Sequence, residues 1–319
     1  MILYAHSRRG SKPPQTYKEH VVGVVSSACR NVQDLSPFVG DTRTSDYMKI
    51  VKPAAAYHDL GKLNKQNQEV LSGRTQAATL PVEHRDAGVS YLLGSNPEHP
   101  SATIIFAHHR PGLLNLAEQR RLSHPFRFES AMKDTDANLG EYLQLHSEAV
   151  GDAETSAEPG TFVKRLKSLE YRMLLSCLVD ADYSDSAGSK PKFIESRWQE
   201  RLEKLNCYVQ RLWEESKDPT SERNQLRFSL YQNCLNASTD EPLEYCDSPV
   251  GTGKTTAVMA HMLKSADRNG LRRIFVVLPY TNIISQTVEV LREALVLDGE
   301  TPEEIVAEHH HQAHFERAY

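Results

Sequence analysis

The chain has 319 residues, is 39% hydrophobic and 25% charged, and carries a net charge of −5. These values are ordinary for a soluble globular protein, and no apolar run reaches membrane-spanning length. Five cysteines (Cys29, Cys177, Cys207, Cys234 and Cys246) form no C-x-x-C pair. That pattern argues against a disulfide framework or a zinc knuckle and fits a reducing cytoplasm. The net charge exerts no global pull on nucleic acid, so any such binding depends on local positive charge.

From about Thr16 to Gln144 the spacing predicts helices. "YKEHVVGVVSSACRNV" puts Val21, Val24, Val25 and Ala28 on one face. "IVKPAAAYHDLGKLNKQN" is expected to be a helix with Pro53 in its first turn and Gly61 near its end. "PVEHRDAGVSYLLG" follows, with Pro81 and Glu83 suited to a first turn. "SATIIFAHHRPG" comes next, with Ser101 as cap and Pro111-Gly112 as stop. Beyond the polar loop "VGDAETSAEPGT" lies the long helix "FVKRLKSLEYRMLLSCLVDADYSD", then the loop "SDSAGSKPK" and the amphipathic stretch "SRWQERLEKLNCYVQRLWEES".

Near residue 220 the character changes, and "SKDPTSERNQ" reads as a polar linker. From about Leu243 the pattern is βαβα: the Gly-rich turn "SPVGTGKTT", a helix, the β-branched run "RIFVVLP" and the helix "NIISQTVEVLREAL". The fold class expected is mainly α, a helical bundle followed by a partial α/β segment. The domains expected are 1–220, a linker at 221–242, and 243–319.

Histidine is over-used, at 14 residues. His20, His58, Asp59, His84, His108, His109 and Asp180 fall on or at the ends of the predicted helices. Side chains projecting inward from several helices are how a bundle builds a metal site. Imidazoles suit Mn, Fe, Co, Ni and Zn, and a carboxylate can bridge two ions. Two ions roughly 3.5–4 Å apart can clamp the attacking and leaving oxygens of a phosphodiester displacement.

The order H…HD…H…HH…D resembles the HD superfamily of metal-dependent phosphohydrolases. Within it, the order is similar to the nuclease domain of the CRISPR-associated nuclease–helicases of type I systems, whose start "LYAHSRRG" also resembles. The resemblance implies that His20, His58, Asp59 and Asp180 hold one divalent ion. It implies that Asp59 bridges to a second, held also by His84, His108 and His109, with Lys62 near the scissile phosphate. "CLVDADYSD" offers Asp180, Asp182 and Asp185. Asp180 is preferred because it follows the apolar run most directly; Asp182 is the fallback, and the family shows a second Asp where Asp185 stands. The resemblance further implies two transition-metal ions (Mn, Fe, Co or Ni), single-stranded DNA as substrate, and an RNA-guided multisubunit surveillance complex as partner. An HD phosphohydrolase of nucleotides and an inactive P-loop docking module are the alternatives.

"SPVGTGKTT" departs from G-x-x-x-x-G-K-[ST] by Ser248 in the first place. Gly251 and Gly253 let backbone N–H groups face phosphates, Lys254 reaches the β/γ-phosphates, and Thr255, followed by Thr256, reaches Mg²⁺. "LPYTNIISQ" resembles helicase motif Ia, which places Thr281 and Asn282 near a DNA backbone. No acidic Mg²⁺ motif follows. The chain is therefore expected to be an N-terminal fragment or a truncated product of a nuclease–helicase, its nuclease domain whole and its helicase incomplete, with ATP and Mg²⁺ bound only in a complete helicase. His309, His310, His311 and His314 are read as ordinary helicase sequence.

Overall fold

The computed structural model describes residues 2–8, 10, 13–109, 112–115, 118, 121, 126–151, 166–187 and 194–310. The chain divides into two compact units, Met1–Pro191 and Lys192–Tyr319. The first unit is a helical bundle with a small antiparallel hairpin, β1 (Tyr4–His6) and β2 (Gln15–Thr16). Its helices are α1 (Tyr17–Gln33), α2 (Ser36–Val39), α3 (Asp41–Tyr57), α4 (Lys65–Leu71), α5 (Arg85–Ser95), α6 (Pro100–Ala107), α7 (Glu129–Val150) and α8 (Ser168–Ala187). A 3₁₀ turn, Leu60–Leu63, joins α3 to α4.

Helix α1 starts where its sequence says it should. Thr16 accepts from the Glu19 N–H at 3.2 Å, and the Glu19 carboxylate accepts from the Thr16 N–H at 3.1 Å, a reciprocal capping box. Its buried stripe carries His20 among Tyr17, Val21, Val24, Val25 and Ala28. The periodicity that makes the helix amphipathic thus also drives an imidazole into the core. Helix α1 lies between α3 and α8, and α5 and α6 close the bundle over α3.

Three boundaries differ from expectation. The helix expected to run through Asn67 ends at Tyr57 and gives way to the 3₁₀ turn and α4. Pro53 is not in a first turn but deep inside α3, which begins at Asp41. Ala54, Ala55 and Ala56 are fully buried around it, so packing holds a helix that the proline alone would interrupt. Ser101 does not cap α6; His99 does, its Nδ1 accepting from the Ser101 N–H at 3.2 Å. The Ser101 hydroxyl instead donates to Ile50 O of α3 at 2.6 Å. Pro111, the loop 152–160, residues 162–165, His311 and His314 lie outside the described residues.

The second unit holds α9 (Trp198–Glu214), α10 (Glu222–Asn236), α11 (Lys254–Arg268), α12 (Thr281–Leu295) and α13 (Pro302–Ile305). The division therefore falls near residue 191, and the segment 221–242 holds a helix where a linker was expected. The apolar stripe of α9, with Leu202, Leu205 and Val209, packs on the core of this unit. Arg201, buried on the same helix, donates to Leu295 O at 2.9 Å and to Glu300 at 2.7 Å, tying α9 to the end of α12.

The β-branched run does not form a strand. Among the described residues β1 and β2 make the one sheet. Residues 273–278 have no ladder partner, and Phe275 and Val277 are 77% and 92% exposed. A strand exists only against a neighbour that satisfies its N–H and C=O groups. The α/β character read from the sequence is present here only as its helices. No helix among the described residues is long and apolar enough to cross a membrane.

Candidate metal centre

Six elements deliver the site, α8 through Asp182 among them. His20 projects from α1. His58 and His108 stand at the C-terminal ends of α3 and α6, and His84 at the N-terminal end of α5. Asp59 precedes the 3₁₀ turn. His58 Nδ1 donates to Ala55 O at 2.8 Å, and His108 Nδ1 donates to Ile105 O at 2.6 Å. Each imidazole thus satisfies a terminal helix carbonyl through Nδ1, which fixes the ring orientation and aims Nε2 inward. The partial negative charge at the C-terminal ends of these two helices favours a cation there.

Asp59, 1% exposed, lies at the centre. Its Oδ2 is 3.0 Å from His20 Nε2 and 3.3 Å from His58 Nε2; its Oδ1 is 3.4 Å from His84 Nε2. One carboxylate oxygen faces one histidine pair and the other faces the second group. Ligand atoms of His20, His58 and Asp59 lie within 4.8 Å of one another, as do those of His84, His108 and His109.

Both Asp59 oxygens, His84 Nε2 and His108 Nε2 are buried and make no well-directed hydrogen bond. Lys62 meets Asp59 Oδ2, but Asp59 Oδ1, His84 Nε2 and His108 Nε2 converge without such a partner, which is costly unless a cation satisfies them. The donor set, imidazole nitrogens with bridging carboxylate, fits two first-row divalent ions.

Burial would drive the His58 imidazole down, but Asp59 and Asp182 drive it up to about 10, so it carries a proton that an arriving ion must displace. Burial pushes the Asp59 carboxyl up, yet His58 and Lys62 hold it well below the usual carboxylate range. Burial lowers His84 to about 4, with Lys62 and His109 opposing its protonation further, and burial also holds His108 and His109 down. These three are neutral and have lone pairs to give. Lys62 Nζ sits 2.5 Å from Asp59 Oδ2. It is buried, not a solvated helix-end lysine.

Asp180 does not join the centre. It is exposed and accepts from Asn31 Nδ2 at 3.0 Å. Asp182 takes its place: its Oδ1 is 3.5 Å from His20 Nε2 and 3.8 Å from His58 Nε2. The reason is helical phase. Asp182 falls on the buried stripe of Leu174, Cys177, Leu178 and Ala181, whereas Asp180 is turned off it. Asp185 accepts from His20 Nδ1 at 2.7 Å, which orients the other ring nitrogen toward Asp59. Only Gly23 allows this approach, since a methyl at that position would lie 2.2 Å from Asp185 Oδ1.

Two supporting residues carry no sequence signal. Asn67, fully buried, donates to Gly61 O and Val82 O at 2.9 Å each and accepts from Val82 N at 3.0 Å. It stitches the 3₁₀ turn to the strand of chain leading into His84. Asn64 donates to Tyr142 and Asp134 of α7 at 2.8 and 2.9 Å, fixing the other end of that turn.

In the second unit, Gly251 and Gly253 adopt φ of +83° and +79°, the left-handed region that glycine tolerates. Helix α11 starts at Lys254, whose Nζ donates to Ser248 O and Pro249 O within the same turn. Thr255 is exposed, Thr256 Oγ1 donates to Gly253 O, and Arg227 of α10 donates to Gly251 O at 2.9 Å. The turn has two left-handed glycines and is held by its own lysine and by α10. His310, in the histidine-rich tail, pairs with Glu308 at 2.9 Å.

No family model matches the chain, and no curated protein matches it.

Proposed function

We propose that the first unit is a metal-dependent phosphodiesterase that degrades single-stranded DNA, the nuclease of an RNA-guided CRISPR defence system. The second unit is a RecA-like P-loop segment whose Gly-rich turn would take ATP and Mg²⁺ as part of a helicase. The observation that carries the nuclease reading is Asp59, with one oxygen toward His20 and His58 and the other toward His84. A carboxylate placed between two nitrogen-rich groups would suit a pair of ions acting on one phosphodiester.

In this reading His20, His58, Asp59 and Asp182 hold one ion, and Asp59, His84, His108 and His109 hold the other. When bound, the two ions supply the Lewis acidity that activates water and offsets charge on the phosphodiester. The protein supplies the rest. Ala55 O and Ile105 O lock the His58 and His108 tautomers, and Asp185 locks His20. The apolar bundle around them excludes bulk water, which strengthens each electrostatic contact. Lys62 brings a compact positive charge beside Asp59, where a phosphate oxygen would be neutralised.

The test is incubation of circular single-stranded DNA with the chain and Mn²⁺, Co²⁺ or Ni²⁺, without ATP. Degradation that disappears in Asp59→Ala is expected. Turnover of a nucleotide panel with intact DNA would instead identify a nucleotide phosphohydrolase and overturn the nuclease reading.

A further inference from the structure

The N-terminal hairpin is built into the wall of the metal centre. Gln68 of α4 clamps β1 through both backbone groups of Tyr4, accepting from its N–H at 2.9 Å and donating to its carbonyl at 2.8 Å. The same Gln68 amide donates to Lys62 O at 2.8 Å, so the strand is referenced directly to the turn that carries Asp59 and Lys62. From β2, Gln15 Nε2 donates to Asp185 Oδ2 at 2.7 Å, the oxygen that also holds His20. A two-stranded hairpin has little stability of its own. Here each strand is fixed by side chains belonging to the centre.

The last residue of β1 is His6. Its ring stands edge-on to that of His20, with centroids 4.7 Å apart at 89°. Its Nε2 is 3.0 Å from Ser186 Oγ, and that hydroxyl reaches Asp182 Oδ1 at 3.5 Å. With Nε2–H donated to Ser186 and the Ser186 proton directed at Asp182, the Nδ1 lone pair of His6 is left for another partner. Ligand atoms of His6, His20 and Asp182 lie within 4.8 Å of one another.

We propose that His6 is a further ligand of the ion held by His20, His58, Asp59 and Asp182, delivered to it by the N-terminal strand. This assignment rests on the two-ion reading above. Four protein ligands leave a six-coordinate first-row ion two positions; His6 fills one and leaves one for water or a phosphate oxygen. Ser186 then plays toward His6 the part that Asp185 plays toward His20, holding the nitrogen away from the ion so that the other is aimed. A consequence is asymmetry: the ion on this side is held by one more protein ligand than the ion on the His84 side, and it pins the N-terminal strand.

The test is titration of the whole chain with Co²⁺, followed by calorimetry and by the visible absorption of the bound ion, in wild type and His6→Phe. Phenylalanine keeps an aromatic edge against His20 but has no lone pair; His6→Ala serves as the second variant if the larger ring disturbs melting. Two ions are expected in wild type. In either variant one of them should weaken by about tenfold or more, with a changed visible band, while the other keeps its affinity. Two ions at wild-type affinity with an unchanged band would remove His6 from the ligand set and leave the centre standing. Equal weakening of both ions with an unchanged band would make His6 a packing residue and overturn the assignment. A wild-type chain that binds no Co²⁺ would overturn the reading of the centre itself.

Discussion

Gly61→Ala tests whether the second ligand group is positioned by a close backbone approach. A methyl at residue 61 would lie 2.5 Å from His84 O, 2.8 Å from its Cα and 2.9 Å from its carbonyl carbon. All three are backbone atoms, so no rotamer change relieves the contact. Ordinary van der Waals contact begins near 3.4 Å, and the His84 backbone must retreat by about 1 Å. The Gly61 N–H to His84 O bond of 3.0 Å stretches beyond range, and the 3.4 Å approach of His84 Nε2 to Asp59 Oδ1 opens with it. Overpacking of this kind costs about 1–3 kcal/mol. Displacing one ligand should weaken its ion by about 10–100-fold, as losses of orienting partners do. Isothermal titration with Mn²⁺ or Co²⁺, beside a thermal melt, measures both effects. Wild-type affinity at both ions in a folded Gly61→Ala chain would refute the view that Gly61 sets the position of His84.

Other outcomes follow from the same geometry. Asp182→Ala should weaken one ion by about tenfold or more and abolish most DNA degradation, whereas Asp180→Ala should leave ion affinity unchanged; parallel titrations decide between them. Ion binding at pH 7 should release protons, because His58, raised to about 10, holds one there; affinity therefore rises with pH through the neutral range, as titration in buffers of different ionisation enthalpy would reveal. Glu170, outside the centre, accepts from Tyr47 at 2.9 Å and from Lys167 N at 2.6 Å, and lies 3.0 Å from Arg43. Burial pushes its carboxyl up, but the Lys167 N–H, Tyr47 and Arg43 hold it below its ordinary value. Its contribution is therefore present above the unfolded carboxyl pKa and is lost as pH falls through the lower folded value. Glu170→Gln should cost about 1–3 kcal/mol near pH 7 and progressively less in acid, measured by urea unfolding at several pH values.

The sequence alone determined the elements whose signals are local. The Val21–Ala28 stripe gave α1 its buried face, and the glycines of "PVGTGK" marked a turn before α11. The convergence of His20, His58, Asp59, His84, His108 and His109 was also legible, because each is a ligand-type residue on or at the end of a strongly patterned helix. Helical phase separated Asp182 from Asp180. Both sit two residues apart behind the same apolar run, and only the packing of α8 against α1 decides which one turns inward.

What tertiary structure alone decided is whatever depends on distant partners. His6 lies on a three-residue strand, Asn67 in a polar stretch, and Gln68 beside it. None has a local pattern, because each acts across long sequence separations: His6 on Ser186, Asn67 on Val82, Gln68 on Tyr4. The β-branched run at residues 273–278 fails as a strand for the same reason in reverse. Its local propensity is strong, but a strand is a property of a pair, and no partner lies beside it among the described residues.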